Sequence, residues 1–171
     1  MRYYHAAVDS GRLTQALCLM SLETKVSPPL VMLVLAVAMW LVALATPAFA
    51  FRIPLSEFVA GSIALAGLLL NAYPKILFNR AGTSINPMRP HAAGKLVTSG
   101  VYRYTRNPMY VGHALILLGV ATYLCNELSF LALPLHIVYI TRFQIQPEER
   151  ALSARFPQEY AAYVKSVPRW V

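Results

Sequence analysis

The sequence predicts an all-α, polytopic integral membrane protein with about four transmembrane helices, a long polar loop and a C-terminal helical segment. Three observations carry that reading. Of 171 residues, 57% are hydrophobic and only 13% are charged, where an ordinary soluble domain is about 25% charged. Mean hydropathy is +0.51. The apolar residues fall into four runs, with the basic residues gathered outside them. This composition excludes a disordered chain, a coiled coil and a typical water-soluble enzyme.

The first run, 30–51, opens after Pro28-Pro29. At about 1.5 Å per residue it can cross a hydrocarbon layer of about 30 Å. The second run is 55–78, with Asn71 and Pro74 near its far end. The third, 109–125, and the fourth, 128–143, are short for independent spans. Only Asn126-Glu127 separates them, which predicts a tight helical hairpin. Residues 145–167 form a further helical segment. The membrane domain is thus 28–171, preceded by a polar arm, 1–27, that is expected to be loose. Its stretch Leu17 to Leu22 is too short for a signal peptide. Met20 begins an alternative start, so residues 1–19 are expected to be an extension or a tail.

Four spans place the arm, the 79–108 connection and the C-terminus on one side. Lys75, Arg80, Arg89, Lys95, Arg103 and Arg106 belong to that connection and its edges, and no acidic residue occurs from Phe58 to Asn126. The C-terminal segment adds Arg142, Arg150, Arg155, Lys165 and Arg169, and only Arg52 falls on the other side. The excess of basic loops marks the cytosolic side, so both termini are expected there. This placement accounts for the net charge of +8 without nucleic acid. Cys18 and Cys125 lie on opposite sides and are not expected to pair.

The connection 79–108 is rich in Asn, Pro, Gly and polar residues, which is loop chemistry. Long loops are usually functional or disordered, and interleaved Leu96, Val97, Val101, Tyr102 and Tyr104 favour a packed one. Asn107-Pro108 reads as an N-cap and first helical residue. A helix N-terminus beside Arg103 and Arg106 suits an anion or a carboxylate; an ordinary cap with positive-side anchoring is the alternative, and both stay open. Glu148-Glu149 opens a helical segment continuing through Leu152 and Phe156. Adjacent helical residues point about 100° apart, so one of the two carboxylates is expected to enter a pocket with the loop. A solvated acidic first turn is the alternative.

Three stretches together resemble the isoprenylcysteine carboxyl methyltransferase family, small membrane methyltransferases that include phospholipid methyltransferases. They are Lys95-Leu96-Val97-Thr98-Ser99-Gly100-Val101-Tyr102, Arg106-Asn107-Pro108-Met109-Tyr110-Val111-Gly112, and Glu148-Glu149-Arg150-Ala151-Leu152. Tyr160, Tyr163, Arg169 and Trp170 close the pattern, and Ala81-Gly82-Thr83-Ser84-Ile85-Asn86-Pro87 fits bacterial members. The resemblance covers about 30–171. It implies S-adenosylmethionine as cofactor and a lipid-like methyl acceptor entering from the bilayer. Cofactor contacts fall to Lys95, Leu96, Val97, Gly100, Tyr102, Asn107, Pro108, Tyr110, Glu148 and Glu149. Leu96 and Val97 are placed at the adenine and one glutamate at the ribose, with Arg106, Asn107 and Tyr110 at the methionine end. Arg106, Asn107 and Arg169 are the catalytic candidates, and Arg142 and Trp170 the acceptor-positioning ones. Many members have His where Asn107 stands, so a titratable ring is absent here. An already activated methyl donor needs alignment more than a base, and alignment can supply about 7–11 kcal/mol.

Other readings are weaker. A proton-coupled carrier needs a carboxylate in mid-membrane, and Glu57 and Glu127 sit at span ends. A scaffold leaves the ordered-looking loop unexplained. A reductase related to the sterol reductases would be larger. No metal is expected, because the histidines at 5, 91, 113 and 136 show no ligand spacing. His113 and His136, inside the spans, are each expected to bond a neighbouring helix.

Overall fold

The computed structural model describes residues 23–81 and 95–171. The described regular structure is helical apart from one bridge between Ala50 and Asn126. The principal helices are α1 (Pro28–Ala45), α2 (Ser56–Ala81), α3 (Pro108–Leu124), α4 (Ala132–Ile140), α5 (Gln146–Arg155) and α6 (Pro157–Ser166). The expected arm to Met20, Cys18, Arg89 and His91 lie outside the described residues. This is an integral membrane protein. Helices Pro28–Ala45, Ser56–Arg80 and the run Glu127–Arg155 are long and apolar enough to cross a membrane, with α3 a shorter apolar helix beside them. Leu33, Trp40, Leu65, Leu69 and Val138 are exposed, as side chains facing lipid must be.

Two span limits differ from the apolar runs. Helix α1 stops at Ala45, because Thr46 leaves helical geometry and turns its hydroxyl onto the Val42 carbonyl at 2.7 Å. The fourth run continues past 143 as one helical rod. Residues Thr141–Ile145 are wound as a π-helix, which widens the turn and rotates everything after it. Pro147 has no N–H to give back to the Phe143 carbonyl. That carbonyl instead accepts from the Thr24 N–H at 3.0 Å. Gln144 Nε2 donates to the Val26 carbonyl at 2.7 Å, and Glu23 accepts from Arg142 at 2.7 Å and from Arg150. Residues 23–26 are therefore stapled along the π-turn. Helix α5 is the polar end of that rod, carrying Glu148, Glu149, Arg150 and Arg155 past its apolar part.

Small residues set the closest helix contact. A Cβ added at Gly112 would stand 2.7 Å from the Gly67 carbonyl oxygen, and one at Gly119 would stand 2.9 Å from that of Ala60. Backbones approach this closely only where side chains are absent. Asn71 Nδ2 then reaches the Met109 carbonyl at 3.3 Å. At the opposite end Asn126 is buried and does several jobs. Its Nδ2 donates to the Thr46 carbonyl at 2.9 Å, and its Oδ1 caps Leu128 and Ser129. The expected hairpin is thereby tied to α1. His113 of α3 and His136 of α4 meet each other across neighbouring helices. Both are buried, and they pack edge to face with ring centroids 6.1 Å apart.

Gly112→Val is expected to destabilise the fold by about 1–3 kcal/mol, the usual range for overpacking. Gly61→Val is the comparison, since nothing lies within 4 Å of a Cβ there. Unfolding in detergent, followed by intrinsic fluorescence, separates the two.

Candidate active site

Three segments that are remote in sequence meet at the end of the bundle where α2 finishes and α3 begins. The C-terminal residues are laced onto the loop. The Arg106 N–H donates to the Pro168 carbonyl at 3.0 Å, and Asn107 Nδ2 donates to the Arg169 carbonyl at 2.8 Å. Thr105 Oγ1 donates to that same carbonyl at 3.3 Å. Asn107 stands at the N-cap position of α3 but makes no side-chain cap bond, because its amide is spent on Arg169. Tyr163 on α6 adds a hydroxyl bond to the Tyr102 carbonyl at 2.7 Å. The Gly100–Arg103 turn starts at φ +62, and a Cβ on Gly100 would be 2.8 Å from Leu77. Glycine alone fits that left-handed, close-packed position.

Between these segments and α5 lies a cleft of about 110 Å³. Phe78, Leu96, Val97 and Leu152 form its apolar wall; Arg106, Asn107, Glu148 and Glu149 form its polar one. Glu149 is a charge node. Arg169 grips it with Nε at 3.0 Å and an Nη at 2.6 Å, and Arg106 approaches to 3.0 Å. Such a bidentate fork is the strong form of a carboxylate contact. Arg106 also donates to the Tyr160 hydroxyl at 3.3 Å, while its Nε is buried without a partner among the described residues. Glu148 has no arginine. It accepts from the Tyr110 hydroxyl at 2.5 Å across 38 residues of sequence. Burial pushes its carboxyl up to about 8, against the downward pull of that hydrogen bond.

Both glutamates thus line the cleft, where one was expected. They meet different partners there, Glu148 the Tyr110 hydroxyl and Glu149 the guanidiniums of Arg106 and Arg169. Lys95, Leu96, Val97, Tyr102, Arg106 and Asn107 are also brought to its wall. Tyr110 and Arg169 reach it through Glu148 and Glu149. Pro108 is buried as the first residue of α3, and Gly100 shapes the turn; neither lines the cleft. Arg142 and Trp170 stand outside it. Arg142 pairs with Glu23, and Trp170 Nε1 donates to Thr141 Oγ1 at 3.2 Å. Sequence reasoning assigned no site role to Phe78, Leu152, Tyr160 or Tyr163. Phe78, edge-on to Tyr102 at 5.6 Å, reads only as the end of an apolar span. The two tyrosines share a face of α6, a signal that was open to use.

A helical membrane protein with paired carboxylates and arginines at one end of its bundle is the class that fold and site define. A sequence profile of the phospholipid methyltransferase family matches residues 55–159, from the start of α2 into α6. The chain belongs to this family of membrane methyltransferases. It is 31% identical over 107 residues to protein-S-isoprenylcysteine O-methyltransferase B of Arabidopsis thaliana, covering 63% of this chain and 54% of that protein. It is 32% identical over 113 residues to the protein-S-isoprenylcysteine O-methyltransferase of Rattus norvegicus, covering 62% and 40%. With the human protein of the same name, identity is 38% over 73 residues, covering 43% and 26%. The matches thus span about half or less of these relatives' own length.

Two measurements test the site's electrostatics. Native Glu148 keeps its proton to about pH 8, while the unfolded carboxyl loses it near 4.5. Stability is therefore expected to fall as pH rises between those values, and Glu148→Gln should flatten that fall. Glu149→Ala leaves two guanidiniums facing each other and should cost about 1–3 kcal/mol. In an Arg169→Ala background the same change should cost measurably less, as read by a double-mutant cycle.

Proposed function

We propose that this protein is an S-adenosylmethionine-dependent methyltransferase acting on a lipid-like or prenylated acceptor at the cytosolic membrane face. The observation that carries the reading is the cleft where Arg106 and Asn107 meet Glu148 and Glu149, within the stretch that matches the family. The names of the relatives point to an isoprenylcysteine carboxylate as acceptor, and the family's name leaves lipid amines as the alternative. The basic residues at this face support its cytosolic placement, with both termini on that side.

The residues present suit the cofactor chemically. A glutamate is an acceptor for a ribose diol, and Arg106, with its unpartnered Nε, is a donor for a carboxylate. Leu96, Val97 and Leu152 offer an apolar wall to the adenine. The enclosed space of about 110 Å³ is smaller than the roughly 300–1,000 Å³ of ligand pockets. Arg106 and Glu149 must therefore part when the cleft fills. Bound S-adenosylmethionine supplies a methyl group made electrophilic by a cationic sulfur. Asn107 holds the C-terminal residues against the loop, so that Arg169 stays beside Glu149. Tyr110 orients Glu148. The apolar wall excludes water, and Arg142 and Trp170 are assigned to positioning the acceptor. No group in the cleft has to act as a strong base if the acceptor arrives as a carboxylate, a thiolate or a free amine.

Arg106→Ala and Glu149→Ala are each expected to weaken S-adenosylhomocysteine binding at least tenfold, read by calorimetry on protein that still inserts into membranes. Methyl transfer to a panel of lipidic thiols, acids and amines, read by mass spectrometry, identifies the acceptor. Absence of cofactor binding together with absence of transfer would overturn the reading.

A further inference from the structure

A second concavity lies on the membrane-facing side of the Gly100–Arg103 turn. It encloses about 850 Å³ and shares no lining residue with the cleft. Its floor is α2 from Ala66 to Ile76, about 15 Å of helix, with Leu115 of α3 along one edge. Leu69, Tyr73 and Ile76 are exposed along it. Its mouth is closed by Val101, Arg103 and Tyr104. The floor is apolar over its whole length, and among the described residues the charge that lines it is one guanidinium at the end.

That guanidinium is available. Arg103 is exposed and pairs with no acidic side chain among the described residues. Glu159 lines a neighbouring groove with it, on the α6 side, without bonding to it. No acidic residue occurs between Phe58 and Asn126, so the local potential is positive. Tyr104 beside it is largely exposed, and an amphipathic ring next to a cation is the usual furniture of the membrane–water boundary. An apolar channel with a cation at the interfacial end complements an amphiphile with an acyl chain and an anionic head.

We propose that this groove binds a bilayer phospholipid with an anionic headgroup, one acyl chain lying along α2 and the phosphate meeting Arg103. Such a lipid presses on the outer face of the turn whose inner face gives Tyr102 to the cleft. It links the bilayer to the loop without entering the reaction. Phe78 and Tyr102 line the cleft and not the groove, so the proposal places this lipid apart from the methyl acceptor. The assignment is independent of the proposed methyl transfer.

The test uses the full chain, purified in detergent and exposed to phosphatidylglycerol or phosphatidylcholine of identical acyl chains. Native mass spectrometry counts retained lipid. Phosphatidylglycerol retention is expected to exceed phosphatidylcholine retention at least fivefold. Arg103→Gln should abolish the preference, and Ala72→Trp, at an exposed position on the groove, should reduce retention of both lipids. Arg52→Gln, on the opposite side, should change nothing. Equal retention of the two lipids, or a preference that survives Arg103→Gln, overturns the proposal. So does a tenfold rise in the acceptor's KM in Arg103→Gln and Ala72→Trp with lipid retention unchanged, because the groove would then belong to the acceptor.

Discussion

The end of this bundle is organised around one carboxylate. Glu149 sits between Arg106 from the loop and Arg169 from the C-terminus, two cations that the chain places far apart. Without it, two guanidiniums would face each other in a partly buried pocket, and nothing else among the described residues would neutralise them. With it, loop, rod and C-terminus become one unit. The backbone bonds from Arg106 to Pro168 and from Asn107 to Arg169 then fix a geometry that the ion cluster has already selected. An ion cluster of this kind is poor evidence for stability, since desolvation opposes it. It is better read as a device for specificity: it decides which three segments meet.

The π-turn sets which way the helix carrying the two glutamates faces. Glu148 and Glu149 still diverge by about 100° on α5, so they reach different partners around one cleft, Tyr110 for the first and Arg106 with Arg169 for the second. The wider turn at Thr141–Ile145 rotates α5 as a block, and Pro147 removes the hydrogen bond that would have resisted this. The freed Phe143 carbonyl is satisfied by Thr24. Residues 23–26 thus contribute to the site at a distance, by completing the backbone of the helix that carries the carboxylates. The two glutamates then differ in surroundings: one is paired with two arginines, the other is buried against a single phenol.

Much of this was legible before any coordinates. Hydropathy gives the helical membrane class, because a bilayer tolerates only internally bonded backbone. The motif residues Leu96, Val97, Arg106, Asn107, Glu148 and Glu149 mark the cleft. What sequence could not supply was long-range pairing. Arg142, which the resemblance offers as an acceptor-positioning residue, pairs with Glu23, 119 residues away. Phe78 reads as no more than the end of an apolar span, because its place in the cleft depends on where Tyr102 returns. The end of α1 at Ala45 was hidden inside an apolar run, since the break follows from Thr46 bonding backward and from Asn126 bonding across.

Asn107 is the informative departure. The family resemblance leads to the expectation of a His at this position, and an imidazole invites a role as a base. Here the side chain donates its amide to the Arg169 carbonyl at 2.8 Å, and Thr105 Oγ1 accepts from the Asn107 backbone N–H at 3.2 Å. A protonated imidazole nitrogen can also donate one hydrogen bond to a carbonyl. What Asn107 supplies is therefore a tether that keeps Arg169 over Glu149, without a titratable proton. The proposed reaction, whose electrophile arrives already activated, loses little by the lack of that proton, because it would depend on alignment. In the proposed site the tether serves that alignment by keeping Arg169 beside Glu149.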